Sequence, residues 1–125
     1  MGGNGSNLNG SLDIEETREY KTVYSLSNNI KVVCLKESTQ TKMPEESRTP
    51  NRIYVTIERD GSDIHEISRY GKDHKKIYSI HTTDHQGLGP HVHYWKDGKP
   101  IGEPQPLSIG QKSLLTRIRN LNKNR

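Results

Sequence analysis

From Glu19 onward, apolar and polar positions alternate with the period of two that marks half-buried strands. Tyr20, Thr22, Tyr24 and Leu26 share one parity, and Ser27-Asn28-Asn29 supplies turn residues. Ile30, Val32 and Cys34 follow, with Val33 and Leu35 on the opposite face. This predicts a hairpin whose second strand is buried on both sides. A second hairpin follows, in which Ile53, Val55 and Ile57 alternate with Tyr54, Thr56 and Glu58. Asp60-Gly61 offers the positive φ angles of a tight turn, residues 64–67 return, and Tyr70-Gly71 ends the unit.

Lys75-Lys76-Ile77-Tyr78-Ser79-Ile80-His81 reads as a further strand, and residues 91–95 as a short one closed by a second Asp-Gly turn, Asp97-Gly98. Pro100, Pro104 and Pro106 are expected to end regular pairing beyond it. The last element is a helix. Ser108 with Gln111 three residues on matches a capping box. Leu114, Leu115, Ile118 and Leu121 form one apolar stripe, with Lys112, Arg117 and Arg119 expected to face water.

The pattern predicts an α+β fold: an antiparallel sheet of about five or six strands with a C-terminal helix packed on it. Residues 17–121 are expected to form one domain. Residues 1–16, rich in Gly, Asn and Ser, read as a flexible tail, residues 37–51 as a mobile loop and residues 122–125 as a short tail. Met1-Gly2 with Ser6, and Asn4-Gly5-Ser6 with Asn9-Gly10-Ser11, match acylation and glycosylation patterns that arise easily in such a tract. Neither is taken as a site.

Composition narrows the classes. Only 28% of the 125 residues are hydrophobic and none is Phe, so the core must be concentrated in a few elements. No apolar run approaches a membrane span and no signal-peptide pattern opens the chain, which predicts a cytoplasmic protein without membrane contact. The lone cysteine, Cys34, excludes an internal disulfide and thiolate-rich zinc folds. A net charge of +4 favours anionic partners, with nucleic acid first among them.

The chemically dense stretch is IHTTDHQGLGPHVHYW, which holds four of the six histidines, His81, His85, His91 and His93, together with Asp84. On a strand, His91, His93 and Trp95 share one face while Val92 and Tyr94 take the other. Gly87, Gly89 and Pro90 bend the chain so that His81 can return beside them. Two chemistries suit this arrangement. One is metal-free acid–base cleavage of RNA, with His81 and either His91 or His93 as base and acid, because histidine titrates near neutrality. Lys76 would stabilise charge on the phosphoryl oxygens, and Arg69, Tyr78, Thr82, Trp95 and Lys96 are available to bind substrate. The other is a zinc or iron site drawn from His81, Asp84, His85, His91 and His93. Nitrogens converging on one point would indicate the metal, and two imidazoles across a phosphate-sized gap the nuclease. His65 and His74 read as structural or solvated, and Asp63 and Glu66 as isolated, solvated carboxylates.

Tyr70-Gly71, the basic strand ending Ile80-His81, Gly89-Pro90-His91-Val92-His93 and Trp95-Lys96-Asp97-Gly98 together resemble small proteins of phages and other mobile elements, some of them toxin-type C-terminal domains. That group is similar to the barnase–EndoU–colicin–RelE ribonucleases. The likeness spans residues 69–98, and the helix here follows the sheet, where those folds place helices before it. The resemblance implies an endoribonuclease leaving 2′,3′-cyclic phosphate, no cofactor, and an inhibitor or phage protein as a further partner. A non-catalytic structural or binding module of a mobile element is the remaining alternative.

Overall fold

The computed structural model describes residues 20–35, 43–44, 46–47, 49–58, 63–84 and 87–124. Its strands are β1 (Tyr20–Ser27), β2 (Ile30–Leu35), β3 (Ile53–Ile57), β4 (Ile64–Tyr70), β5 (Lys76–His81), β6 (His91–Lys96) and β7 (Lys99–Pro106), followed by the helix α1 (Ile109–Lys123). They form one sheet in chain order. The α+β expectation holds, but the strands number seven rather than five or six.

The extra strand is β7. Its prolines were expected to end pairing, yet β7 pairs with β6 from Lys99 to Pro106. It lies at the edge of the sheet, where a residue without an N–H can face outward at no cost to the ladder. A register shift opposite Val92 and Tyr94 takes up the irregular stretch, with Gly102 at φ 71° inside it. Asp97 and Gly98, at φ 53° and 81°, form the tight turn expected between β6 and β7. The Asp60-Gly61 turn lies outside the described residues. The sheet is also not wholly antiparallel, because β2 and β3 run parallel with Ile30 opposite Ile53.

The helix begins as its sequence predicts. Ser108 accepts a hydrogen bond from the Gln111 backbone, and the Gln111 side chain accepts one from the Ser108 backbone. That reciprocal cap satisfies two of the donors a helix start leaves open, at a gain of roughly 1 kcal/mol. Leu115 and Ile118 bury against the sheet. Arg119, expected in water, instead makes two hydrogen bonds to Asp63, at 3.1 and 2.8 Å, tying α1 to the start of β4. Asp63 is therefore paired rather than isolated. The pairing holds its carboxyl below the usual range against the opposing effect of burial.

The two faces of the sheet differ in chemistry. On the helix face, Val55, Ile67, Ile80 and Val92 are successive cross-strand partners, and all are fully buried with Leu115 and Ile118. The opposite face has a smaller apolar cluster of Val33, Met43, Tyr54 and Tyr70. The described part of segment 37–51, expected as a mobile loop, contributes to that cluster. Met43 and Ser47 are buried, the Pro44 carbonyl accepts from the Tyr70 hydroxyl, and Glu46 bridges to Lys75.

Candidate functional site

Pairing register assembles the polar half of that second face. In the β4–β5–β6 ladders, Glu66 lies opposite His81 and His81 opposite His91. In the neighbouring row Ser68 lies opposite Ser79 and Ser79 opposite His93. Directly opposed residues in a sheet present their side chains to the same face about 5 Å apart. Each row is therefore forced together by the same hydrogen-bonding that aligns Ile67, Ile80 and Val92 on the helix face.

The three imidazoles form one contact cluster. His81 and His91 are nearly parallel, with ring centroids 5.6 Å apart and 13° between planes. His93 stands edge-on to both, 4.7 Å from His81 and 4.9 Å from His91. His91 is only 3% exposed, whereas His81 and His93 are partly open. The His91 Nδ1 lies 2.9 Å from the Gly89 carbonyl. A carbonyl only accepts, so Nδ1 carries the proton and Nε2 is the acceptor in the neutral ring.

Lys76 joins this cluster through a register shift. Simple alternation would put it with Tyr78, on the helix face. The shift between Arg69 and Tyr70 places it opposite Tyr70 instead, on the histidine face. Its Nζ lies 4.3 Å above the Trp95 ring, and the residue is 6% exposed. Its charge is felt by both Glu66 and His81.

Burial, followed by the charges of His93, His91, His65 and Lys76, lowers the His81 pKa to about 4. Burial raises that of Glu66, with Lys76, Ser68, His65 and Ser79 partly opposing it. Glu66, expected as a solvated carboxylate, is thus a correction: it is 8% exposed, and its Oε2 accepts a 3.0 Å hydrogen bond from Ser68. The available signal was parity. With Ile67 inward, Glu66 and Ser68 had to share the other face, but only pairing shows that this face carries His81.

Several expected site residues lie elsewhere. Arg69 and Tyr78 are opposed on the helix face, where Tyr78 packs on the main core and contacts Tyr94. Lys96, with the parity of Val92 and Tyr94, belongs to that face too and is exposed in the β6–β7 turn. Thr82 hydrogen-bonds the carbonyls of Ile64 and His65, closing the end of the β4–β5 pair. Asp84 accepts from the backbone N–H groups of Gly87, at 3.2 Å, and Gly89, at 2.5 Å, so both carboxylate oxygens hold the β5–β6 loop. His85 lies outside the described residues. His65 pairs with Glu58 at 2.9 Å, and the His74 Nδ1 lies 2.9 Å from the Ser47 carbonyl.

Among the described residues, no group of three or more His, Cys, Asp or Glu side chains is arranged to hold a metal ion. The imidazoles pack against one another and neither of the two arrangements expected from sequence is seen in simple form. No helix among the described residues is long and apolar enough to cross a membrane. Comparison with protein-family models, with curated proteins and with solved structures finds no match to this chain.

Proposed function

We propose that the histidine face of β4–β6 is a metal-independent acid–base site that cleaves RNA, in the manner of a toxin-type endoribonuclease of a phage or mobile element. The observation that carries this reading is the three-imidazole cluster with a buried lysine at its side. With its pKa lowered to about 4, His81 is neutral at physiological pH and so has a lone pair free to accept the 2′-hydroxyl proton, as a weaker base than an unperturbed imidazole. His93, more open than His91, is the better placed to protonate the leaving oxygen. His91, buried and tethered to Gly89, holds the other two rings in place.

Because the rings contact one another, a phosphate would lie over their edges rather than between their faces. Lys76 supplies positive charge for its oxygens in a site partly shielded from water, where such a charge counts for more. The same ammonium disfavours the zinc or iron alternative, since a second cation beside these donors would be repelled.

The test is purified protein with total cellular RNA in the presence of a chelator. Cleavage leaving 2′,3′-cyclic phosphate ends, with DNA untouched, is the expected result, because DNA lacks the attacking hydroxyl. Intact RNA, equal cutting of DNA, or activity abolished by the chelator would each overturn the reading.

A further inference from the structure

Glu66 was not among the residues expected to act, yet it is the buried carboxylate nearest the cluster. We propose that Glu66 is the positioning residue for His81: it orients the ring and selects the tautomer that leaves Nδ1 as the base. This rests on the acid–base reading above and adds to it the group that makes His81 competent.

The geometry begins with the ladder. Glu66 and His81 are direct partners across β4 and β5, so their side chains leave the sheet side by side. The His81 Nε2 is the atom turned toward Glu66, 3.9 Å from Oε2. That is longer than a hydrogen bond, and catalytic contacts of this kind commonly tighten when substrate binds. A carboxylate is acceptor-only, so it favours the tautomer with hydrogen on Nε2. The lone pair then sits on Nδ1, at the far side of the ring.

Glu66 is itself held. Ser68 donates to its Oε2, and the Ser79 hydroxyl lies 3.0 Å from Ser68 Oγ. Both hydroxyls favour the charged carboxylate against the pull of burial. The remaining groups that act on His81 are His65 from β4, Lys76 from β5, and His91 and His93 from β6, and all of them disfavour a positive ring. Glu66 is the acidic side chain that faces the His81 Nε2 from β4, 3.9 Å away. In the step itself the 2′-hydroxyl proton passes to Nδ1, its oxygen attacks phosphorus, and the bond from phosphorus to the 5′-oxygen breaks with that oxygen taking a proton from His93. The Nε2 hydrogen stays on the side of the ring that faces Glu66. No proton needs to reach the carboxylate, which is buried away from substrate.

The experiment is nitrogen-15 NMR of the His81 ring in the full chain, for wild type, Glu66→Gln and Ser68→Ala, alongside RNA cleavage kinetics. Wild type should show hydrogen on Nε2. Glu66→Gln should shift the ring toward the Nδ1 tautomer and lower kcat by more than about tenfold with KM little changed. Ser68→Ala keeps the carboxylate but loosens it, and should shift the tautomer part of the way. It also decides the matter should Glu66→Gln fail to fold. An unchanged tautomer in both variants, or a wild-type ring already protonated on Nδ1, overturns the proposal. If wild type cleaves no RNA the nuclease reading fails, and the tautomer shift alone then decides whether Glu66 positions the ring.

Discussion

His81 and His91 are cross-strand partners in the β5–β6 ladder, and their rings lie nearly parallel at 5.6 Å. Two positive rings this close would repel strongly, so the cluster cannot be fully protonated without strain. Adding His93 at 4.7 Å sharpens the same conflict. Burial and these neighbouring charges make His81 give up its proton early as pH rises, at about 4.

The variants should separate by role. His81→Ala and His93→Ala should each lower RNA cleavage by roughly 100-fold or more, the scale for losing a general base or acid. His91→Ala should act partly through stability, because its ring is buried. His65→Ala should cost little. Initial rates on total RNA check this, and equal losses for His65→Ala and His81→Ala would place the chemistry elsewhere. The rate of wild type should rise through about pH 4 as His81 loses its proton, which puts the acid limb of the pH profile below that of an unperturbed imidazole base.

Stability should fall on acidification, and His81 fixes one window. Its folded pKa of about 4 lies below the ordinary imidazole value of 6.5, so between these values the unfolded chain binds a proton that the folded one refuses. The contribution of His81 is present above about 6.5 and lost as pH falls to about 4. Glu66 acts oppositely. Its raised pKa makes its contribution greatest below 4.5 and lost as pH rises through the folded value. Melting curves of wild type and His81→Asn at several pH values between these limits test this. The variant should lose less stability than wild type across the window, and parallel curves would show that His81 is not the group responsible.

Asp84 separates the loop role from the metal role. Both of its oxygens hold backbone N–H groups of the loop that presents His91. Asp84→Ala should cost between about tenfold and 100-fold in cleavage, through misplacement of the ring. Asp84→Asn, which keeps one acceptor, should retain more. Metal analysis of the purified variants completes the test, since stoichiometric metal lost in Asp84→Ala would make Asp84 a ligand.

The β6–β7 turn can be probed without touching the site. Gly98 has φ 81°, and an added Cβ would meet nothing within 4 Å, so a substitution there meets only backbone strain. Gly98→Val should cost roughly 1 kcal/mol or more, read as a lower urea midpoint. An unchanged midpoint would mean that the turn tolerates another conformation.

Alternation and turn residues by themselves determined β1 to β6, the capped helix and the shared face of His91, His93 and Trp95, because a side-chain period of two and a capping box are local properties of the backbone. They also placed Asp97-Gly98 in a tight turn. Pairing decided the rest. Glu66 reaches His81 only because β4 and β5 meet in one register, whereas Arg69 and Tyr78 leave the site by parity alone, on the face of Ile67 and Ile80. Lys76 enters it through a single shift that reverses the parity its position in the chain implies. Pro100, Pro104 and Pro106 stay in a strand because β7 happens to be an edge, where their missing donors face no partner. Faces within a strand follow from the chain, but which strand lies beside it, and in what register, depends on burial and hydrogen bonding summed over the whole sheet.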